Sequence, residues 1–589
     1  MAVRKRPVEQ VLPSEAVAAA DAAFAAPPTI QIQFDEEAMA DAVMPLLAAH
    51  SDVFQRGGQL VHVVREPSPG KTVVRPDGAP RIAAMPSARL REILSSVAQF
   101  TTFRRPSEGQ PSETRRTSVP GAVVSAVAAR GQWNAVRPLV AMTQGPFLRP
   151  NGSVVAHPGY DSVTGTLYVP GVSFPAFPPQ PTREQAVRAA DELLNVVVDF
   201  PFASAAHRAA WLSIVLSLVG RPAISGCVPL ALIDANTRGS GKTLLAEVAG
   251  LIATGQTLPR MAPVREDEEQ RKRITTIALN GDLAVLLDNV AGTLGSPALD
   301  AALTSVEWSD RLLGGNTSVR VLLRTIWLAT GNNVSLAGDM ARRTLHVRLE
   351  SSEENPEART RFRHANLLSF VRQHRPRLFV AALTVLRAYF VAGQPDQNLK
   401  PWGSFEEWTR VVRGAIVWLG FPDPAETRVE LANAADRDRD VLERLLTGLE
   451  SVGLEKQAMT AGELLRAMAS TDATYTTLRD AVAEGCGTTI DKLPDARRFG
   501  ALLRKFRGRV LAGRALDHGT KTAAGRPWRL VSAKPSGSDS GDSCDDRWQP
   551  PATVPRHEGT PGRAHESPES LVIPSDWDER EAIAEFGGG

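Results

Sequence analysis

The segment NTRGSGKT at residues 236–243 combines glycines with a lysine and a threonine, between an apolar run and an amphipathic stretch. A loop of this composition between a buried strand and a helix can wrap a phosphate in its backbone N–H groups, with the positive end of the helix dipole facing the anion. We expect Lys242 to reach the β- and γ-phosphate oxygens and the Thr243 hydroxyl to hold Mg²⁺. The candidate nucleotide-binding residues are Asn236, Gly239, Ser240, Gly241, Lys242, Thr243 and Leu244.

Asn236 occupies the first position of the pattern GxxxxGK[ST], where the pattern has glycine. Asparagine tolerates a left-handed backbone better than other residues that carry a side chain, so we expect the turn to survive the replacement. The alternative interpretation is a chance GSGKT loop that binds no nucleotide.

A carboxylate for the magnesium site is predicted in GDLAVLLDNV. The apolar run Leu283–Leu287 indicates a buried strand with Asp288 at its exposed tip, about 45 residues after Lys242. In most ATPases with such a loop and strand, a glutamate follows the aspartate and polarises the attacking water. Here the residue after Asp288 is Asn289. An amide can orient water but cannot accept its proton, so the identity of the base stays open.

Two further alternatives concern these carboxylates. Asp288 could instead end an ordinary strand in an Asx turn. The acidic run Glu266–Glu269 could supply the base, although such a run is also typical of a solvated helix start.

The segment TIWLATGNN at residues 325–333 predicts a third strand that ends in amides. We expect Asn332 or Asn333 to sense the γ-phosphate from the neighbouring strand.

The segment DMARR offers Arg342 or Arg343 to a developing phosphoryl charge, because a planar guanidinium suits it. Supplied across a subunit boundary, this arginine would make hydrolysis depend on assembly. Surface arginines paired with Asp339 or Glu350 are the alternative. The candidate catalytic residues are Lys242, Asp288, Asn289, Asn332, Asn333, Arg342 and Arg343.

The elements that must position these residues alternate between helix and strand from residue 183 to 350, which predicts an α/β layer with a parallel sheet. The predicted elements are helices at 183–197, 205–219 and 241–253, a strand at 228–234, and buried runs at Leu283–Leu287 and Val319–Ala329.

Stretches rich in Pro, Gly and Ser mark the seams between domains. The predicted order is a disordered leader (1–29), a small α+β domain (30–175) with a strand at Gln59–Val64 and a helix at 88–100, the α/β domain (183–350), an all-α lid (351–440), a C-terminal module (441–532) and a disordered acidic tail (533–589).

The composition of the chain excludes several classes of protein. The 589 residues carry 67 Lys and Arg against 65 Asp and Glu and are 43% hydrophobic, which excludes a wholly disordered chain and a polycationic coat. Three widely spaced cysteines exclude a disulfide framework and a zinc ribbon. The longest near-apolar stretch, Ala209–Val219, is about half of a membrane span. We therefore expect a cytoplasmic protein without a membrane partner.

The ordered set GSGKT, LLDN, GGNTSVRV, ATGNN and DMARR resembles the AAA+ ATPases of helicase superfamily 3. More closely, it is similar to the helicase half of primase-helicases carried by phages, plasmids and integrated elements, over roughly residues 140–350. The resemblance implies an AAA+ P-loop core that uses ATP and Mg²⁺ and works as a ring-shaped, hexameric, 3′-to-5′ DNA-translocating motor. Residues 1–170 show no primase active site, so we interpret the chain as a helicase without its own primase.

The resemblance also implies a DNA-contacting hairpin between the Asp288 strand and the 325–333 strand, at residues 309–324. The candidate DNA-binding residues there are Arg311, Asn316, Arg320 and Arg324. The tip lacks the basic residue that many relatives place there, so which arginine contacts DNA stays open. A structural hairpin without a ligand is the alternative.

The C-terminal segment 461–531 is predicted to form a helix at AGELLRAMA (461–469), a loop, a helix at Arg497–Val510 and two extended pieces around a polar turn. This order resembles a winged helix, with a wing at 511–531. Residues 497–529 carry ten Lys and Arg against Asp517 alone, which indicates a basic face for DNA. The candidate contacts are Arg497, Arg498, Arg504, Lys505 and Arg507. A protein-docking wing or a solvated helix is the alternative.

The tail at 535–589 has the opposite charge, with twelve acids against four arginines, and its composition predicts disorder. Its end, IPSDWDEREAIAEF, could fold onto a protein partner or mask the basic wing. An inert solubilising tail is the alternative.

The leading hypothesis is an ATP-dependent DNA helicase that acts on single-stranded or forked DNA in the replication of a mobile element. The alternative is a regulatory or defence ATPase that binds nucleotide and DNA without unwinding. A small-molecule kinase is disfavoured, because nothing after the phosphate loop resembles an acceptor pocket.

Overall fold

The computed structural model describes residues 27–65, 73–76, 78–104, 113–264, 266–311, 318–337, 339–353, 356, 359, 361–470, 472–489, 492–520 and 525–532. The acidic tail and nearly all of the predicted leader lie outside these residues. Thr29, which the leader range included, begins the first strand. Within the described part of the chain, no helix combines the length and apolar composition that a bilayer crossing requires.

The N-terminal part mixes helices with small sheets. Its helices are α1 (Glu36–Ala49), α2 (Ser87–Val97) and α3 (Gly121–Ala129), and its strands are β1 (Thr29–Gln31), β2 (Phe54–Arg56), β3 (Gln59–Val64), β4 (Val73–Val74), β5 (Arg81–Ala84), β6 (Gln99–Arg104), β7 (Glu113–Thr117), β8 (Ala141–Thr143), β9 (Phe147–Leu148), β10 (Val154–Val155), β11 (Gly159–Asp161) and β12 (Thr166–Tyr168). The strand predicted at Gln59–Val64 is confirmed. The helix predicted at 88–100 ends earlier, because Phe100 lies in β6 and pairs with Ile30.

The central part is built on a mixed sheet, which agrees with the predicted α/β class. Its strands are β13 (Leu230–Ala235), β14 (Arg260–Met261), β15 (Ala284–Val290), β16 (Thr293–Leu294), β17 (Glu307–Arg311), β18 (Ser318–Leu322), β19 (Ile326–Asn332), β20 (Ser335–Leu336) and β21 (Thr344–Leu349). The sheet order is β21-β13-β19-β15-β14-β4, with the first five strands parallel and β4 antiparallel at the edge. The predicted run Val319–Ala329 is divided, because its first part pairs with β17 in a hairpin and its second part enters the sheet.

Helices cover both faces of this sheet, as buried parallel strands require. The helices of this part are α4 (Arg183–Val196), α5 (Ala205–Gly220), α6 (Lys242–Thr254), α7 (Asp267–Asn280), α8 (Pro297–Thr304), α9 (Met340–Arg343), α10 (Leu367–Val391), α11 (Glu406–Trp408) and α12 (Gly414–Trp418). Helix α10, in the predicted lid, packs against α4 and α6 and shares one apolar core with them.

The C-terminal part begins with a long helix. Its elements are α13 (Glu426–Ser451), β22 (Met459–Thr460), α14 (Ala461–Met468), α15 (Thr476–Cys486), α16 (Ala496–Phe506), β23 (Arg514–His518) and β24 (Pro527–Ser532). Helix α13 runs across the boundary predicted between residues 440 and 441. Helix α15 occupies a segment that was predicted as a loop. The three strands form one sheet, order β22-β24-β23, which closes a separate core around Leu445, Phe499 and Trp528.

Arg56 ties the N-terminal part to the central sheet. Its buried guanidinium donates to the carbonyls of Leu139 and Val140 at 2.9 and 2.7 Å, to that of Ala278 in α7 at 2.6 Å, and to that of Leu322 in β18 at 3.0 Å. Burial lowers the pKa of Arg56 to about 10. These bonds fix the N-terminal part against the end of α7 and the base of the β17–β18 hairpin.

Candidate functional site

The carboxyl ends of the parallel strands form one edge of the central sheet, and open α/β sheets bind ligands at this edge. Because β19 lies between β13 and β15, the loop after β13 and the end of β15 face each other across the end of β19. The three predicted segments therefore converge on one cleft of about 560 Å³. The residues that line the cleft are Arg238, Gly239, Lys242, Thr243, Asp288, Asn289, Val290, Ala291, Thr330 and Asn332.

The phosphate loop curls between β13 and α6, and its two glycines make this possible. Gly239 and Gly241 have φ values of 76° and 83°, in the left-handed region. A Cβ atom on Gly241 would lie 2.9 Å from the Phe200 ring, so the close approach also requires glycine. Helix α6 starts at Lys242, which leaves its first N–H groups directed at the cleft.

Asn236 does not adopt the left-handed backbone that its replacement of glycine suggested. Among residues 236–241, positive φ values belong to Gly239 and Gly241. The Asn236 side chain instead pairs with the main chain of Ser351 after β21, donating to its carbonyl at 3.0 Å and accepting from its N–H at 3.2 Å. Asn236 therefore anchors the start of the loop to the neighbouring strand.

Lys242 is held over the cleft by Asn332. Its ammonium donates to the Asn332 side-chain oxygen at 2.7 Å. Partial burial lowers the pKa of Lys242, against the opposing charges of Asp234 and Asp288. Asn333, the other predicted sensor, instead accepts from Arg348 at 3.0 Å and does not line the cleft.

Thr243 and Asp288 meet on the opposite wall. The Thr243 hydroxyl donates to one Asp288 oxygen at 2.9 Å, and the Thr330 hydroxyl donates to the same oxygen at 2.7 Å. Hydroxyl and carboxylate oxygens are the ligands that Mg²⁺ prefers, so the residues present fit the expected metal. Sequence reasoning missed Thr330, since a threonine within an apolar strand has no distinguishing signal.

A bulge in β15 presents Asp288 to the cleft. Leu287 pairs with Ala329 and Val290 pairs with Gly331, so Asp288 and Asn289 both lie opposite Thr330. Asn289 has a φ of 56°, and its N–H donates to the Thr330 hydroxyl at 3.0 Å. Bulges of this kind re-aim side chains next to active sites.

Asp288 is the only carboxylate among the described residues that line the cleft. The acidic run at 266–269 lies elsewhere, at the start of α7. There Asp267 accepts from the Ala298 N–H at 2.8 Å, and Glu268 pairs with Lys272 at 2.7 Å. The run therefore forms a helix start, and no described residue of it reaches the cleft.

Arg260 connects Asp288 to a buried carboxylate that sequence reasoning also missed. The guanidinium donates to Glu247 of α6 at 2.7 Å and lies 3.6 Å from the second oxygen of Asp288. Glu247 also accepts from the Leu258 N–H at 3.1 Å. The carboxylate of Asp288 is thus oriented from both sides, by hydroxyls and by an arginine.

A second cavity of about 480 Å³ adjoins the cleft, and Gly239 lines both. Its apolar lining comes from three separate segments: Val196, Phe200, Leu244, Phe362, Leu367 and Leu368. The Arg359 guanidinium lies 5.1 Å from the Phe362 ring centre. An apolar cavity beside a phosphate loop has the size and chemistry for a nucleotide base.

The two predicted trans arginines differ in their surroundings. Arg343 lies 2.5 Å from Asp300 and 3.2 Å from Asp339 and is mostly buried. The Arg342 side chain is 82% exposed and lies 3.4 Å from Asp339. Neither lines the cleft of its own chain. Arg342 is therefore the candidate with a side chain available to another molecule.

The predicted hairpin exists as the antiparallel pair β17–β18, while its tip, including Asn316, lies outside the described residues. Arg320 pairs with Glu307, and Arg324 at the base donates to the Ser225 carbonyl at 3.0 Å. Arg311, exposed at the end of β17, has no side-chain partner among the described residues. It is the hairpin cation most available for a phosphate.

Helix α16 buries Phe499, Leu502, Leu503 and Phe506 and turns its charged residues outward. Arg497, Arg498 and Arg504 are exposed and make no ion pair within the described chain. Lys505 lies over the Phe506 ring, and Arg507 pairs with Asp517 of β23 at 3.1 Å. The basic face thus has three unpaired arginines on one helix.

Asp234, the fifth residue of β13, ties the phosphate-loop strand to β21. It accepts from Arg348 at 2.6 Å and lies 3.7 Å from the His346 ring. Burial alone would raise the pKa of Asp234, but the facing His346 ring and the charge of Arg348 outweigh it and hold this pKa below its ordinary value. Lys242 adds a further positive charge nearby.

No protein-family model and no curated protein matches the chain. Among solved structures, two of the A-form apo NrS-1 C-terminal region are similar, at 11% identity over 80% of this chain and 96% of those chains, with TM-scores of 0.29 and 0.23. JCV helicase bound to a thiazolopyridinyl phenoxyphenyl acetamide is similar at 14% identity over 53% of this chain and 75% of that chain, with a TM-score of 0.18. These values do not assign a family, so the geometry of the chain's own residues must carry the functional conclusion.

Asp234→Asn should lower the free energy of unfolding by about 2 kcal/mol at pH 7.5, because it leaves the half-buried Arg348 and Lys242 without this counter-charge. A carboxyl whose pKa is depressed by folding stabilises the protein above its unfolded pKa of about 4 and loses this contribution as the pH falls through the folded pKa. Denaturant unfolding of both proteins at several pH values should show the difference shrinking below about pH 4. A difference that is constant with pH would contradict the assigned charge on Asp234.

Proposed function

We propose that the chain is an ATP-dependent DNA helicase or translocase built on an AAA+ P-loop core. One observation carries this proposal: Lys242, Thr243 and Asp288 share a single cleft at the carboxyl edge of a parallel sheet. Strand, loop and helix follow one another in the order that a phosphate-binding loop requires.

ATP fits the two adjoining cavities. Its base would occupy the apolar cavity beside Phe200, and its triphosphate would pass Gly239 into the cleft under the N-terminus of α6. Lys242 would exchange its bond to Asn332 for phosphate oxygens. Thr243 and Asp288 would hold Mg²⁺, which when bound neutralises part of the phosphate charge.

The proposed assembly is a homo-oligomeric ring, a hexamer by the resemblance of the motifs. Support comes from Arg342, which is exposed, does not line the cleft of its own chain and would reach the cleft of a neighbour. Arg311 and the exposed arginines of α16 supply cations for the DNA backbone, which a motor grips without reading sequence. The proposed setting is replication of a phage, plasmid or integrated element.

A nucleotide-gated DNA-binding ATPase that does not unwind is the second candidate. Asn289 favours it, because the described lining of the cleft contains no carboxylate besides Asp288. Without a base for the attacking water, bound ATP would persist. The protein would then act as a clamp, meaning that it stays bound to DNA and does not move along it.

Lys242→Ala should weaken ATP binding by about 100-fold, because it removes the ammonium that balances the phosphate charge. Strand displacement on a forked duplex should disappear with it. Lys272→Ala, which removes an exposed lysine paired with Glu268, is the matched control and should retain both activities.

The same assay separates the two candidates. Displacement by the parent chain that is lost in Lys242→Ala supports the motor. DNA-stimulated hydrolysis without displacement supports the clamp. Equal ATP binding by the parent and Lys242→Ala would refute both, since both require the phosphate loop.

Asn289→Glu should raise the rate of ATP hydrolysis by roughly 10- to 100-fold, because it places a proton acceptor beside Asp288. Asn289→Gln has the same length and the same backbone strain without the charge, and it should not accelerate hydrolysis. The measurement is steady-state phosphate release at saturating Mg-ATP. Equal acceleration by both variants would show that a missing base does not limit the rate.

Arg497→Glu combined with Arg504→Glu should weaken duplex binding by at least about tenfold at 0.1 M salt. The slope of log K against log salt concentration should become shallower by about two. Arg188→Glu combined with Arg372→Glu, which reverses exposed arginines on α4 and α10, matches the change in net charge. Fluorescence anisotropy over a salt series distinguishes the two pairs. An equal loss in both would mean that net charge, not the face of α16, binds DNA.

A further inference from the structure

Arg238 is a cation in the phosphate loop itself that the motif does not require. It occupies a variable position of the loop, four residues before Lys242. It lines the same cleft as Lys242, Thr243 and Asp288, and it is the only arginine among the described residues of that lining. Its side chain is exposed and makes no hydrogen bond or ion pair within the described chain.

This lack of a partner distinguishes Arg238 from the other arginines near the site. Arg260 is held by Glu247, Arg348 by Asp234, and Arg343 by Asp300. An arginine with a structural role is normally held by a carboxylate or a carbonyl. Arg238 has no such partner among the described residues, so its guanidinium is available to an anion in the cleft. Its five N–H donors match phosphate oxygens in a planar, bidentate geometry.

We propose that Arg238 is a catalytic residue that donates to the γ-phosphate of ATP bound in its own chain; the proposal rests on the function proposed above. Water attacks the γ-phosphorus as the bond to the β,γ-bridging oxygen breaks. The electron pair of that bond leaves on ADP, and the protons of water pass to inorganic phosphate and solvent. Arg238 stays protonated and stabilises the charge that spreads over the γ-oxygens in the transition state.

If Arg238 of the same chain contacts the γ-phosphate, hydrolysis does not require an arginine from a neighbouring subunit. An arginine from a neighbour makes hydrolysis vanish when the copies separate, whereas one in the loop acts in every chain. Hydrolysis should therefore persist in dilute protein at a rate set by Arg238, and Arg342 would add to it on association.

The test is ATP hydrolysis by the full-length chain with Mg²⁺, over a range of protein concentrations that spans its association. Arg238→Ala should lower kcat by about 100-fold or more while changing ADP affinity by less than about threefold, because the lost contact is to the γ-phosphate. Arg238→Lys should recover part of kcat, since a point charge replaces a bidentate donor. Arg188→Ala, which removes an exposed arginine of α4, should match the parent.

The loss in Arg238→Ala is expected to persist when the protein is diluted until its copies separate. A loss that disappears on dilution would overturn the assignment, because Arg238 would then act on another copy. A kcat within about threefold of the parent would also overturn it, with ADP binding showing that the variant is folded. If Lys242→Ala abolishes ATP binding while Arg238→Ala retains the kcat of the parent, the assignment of Arg238 is wrong and the proposed function stands. A parent chain that binds no ATP refutes the proposed function and the assignment together.

Discussion

The candidate site depends on one constraint of strand order, the position of β19 between β13 and β15. Adjacent parallel strands lie about 4.8 Å apart, so the inserted strand sets the axes of β13 and β15 about 10 Å apart. The end of β19 fills this gap with Asn332 on the side of Lys242 and Thr330 on the side of Asp288. The proposed triphosphate and its metal would lie between these two walls.

Charge is distributed to suit an anion. Lys242 and Arg238 face the cleft, while Asp288 is the one described carboxylate there and has its two oxygens occupied by hydroxyls and by Arg260. Partial burial of Lys242 lowers its pKa, which reflects the cost of holding an ammonium away from water. The proposed triphosphate would offset that cost, because the attraction between opposite charges is stronger where water is partly excluded.

Sequence reasoning reached the parts of the site that are local. The loop at 236–243 and Asp288 after its apolar run follow from the spacing of a few neighbouring residues, and so do the helices that flank them. Contacts between segments that are far apart in the sequence could not be predicted from local spacing. The pairing of Asn236 with Ser351, 115 residues away, replaced the predicted backbone turn, and the apolar cavity draws on three segments that share no motif. Helix α15 was missed although Leu478, Ala481 and Val482 have helical spacing and help to close the C-terminal core.

A chain of contacts links the cleft to the hairpin, and it passes through helix α7. Four residues after α7 ends, the chain enters β15, which carries Asp288 at its far end. On its other side α7 supports the hairpin, because Thr275 accepts from the Trp308 indole at 2.8 Å and donates to Asp310 at 2.8 Å. Arg56 then fixes the end of α7 and the base of β18 to the same N-terminal wall through two carbonyls. Helix α7 is therefore joined in sequence to the strand that carries Asp288 and joined by hydrogen bonds to the hairpin that carries Arg311.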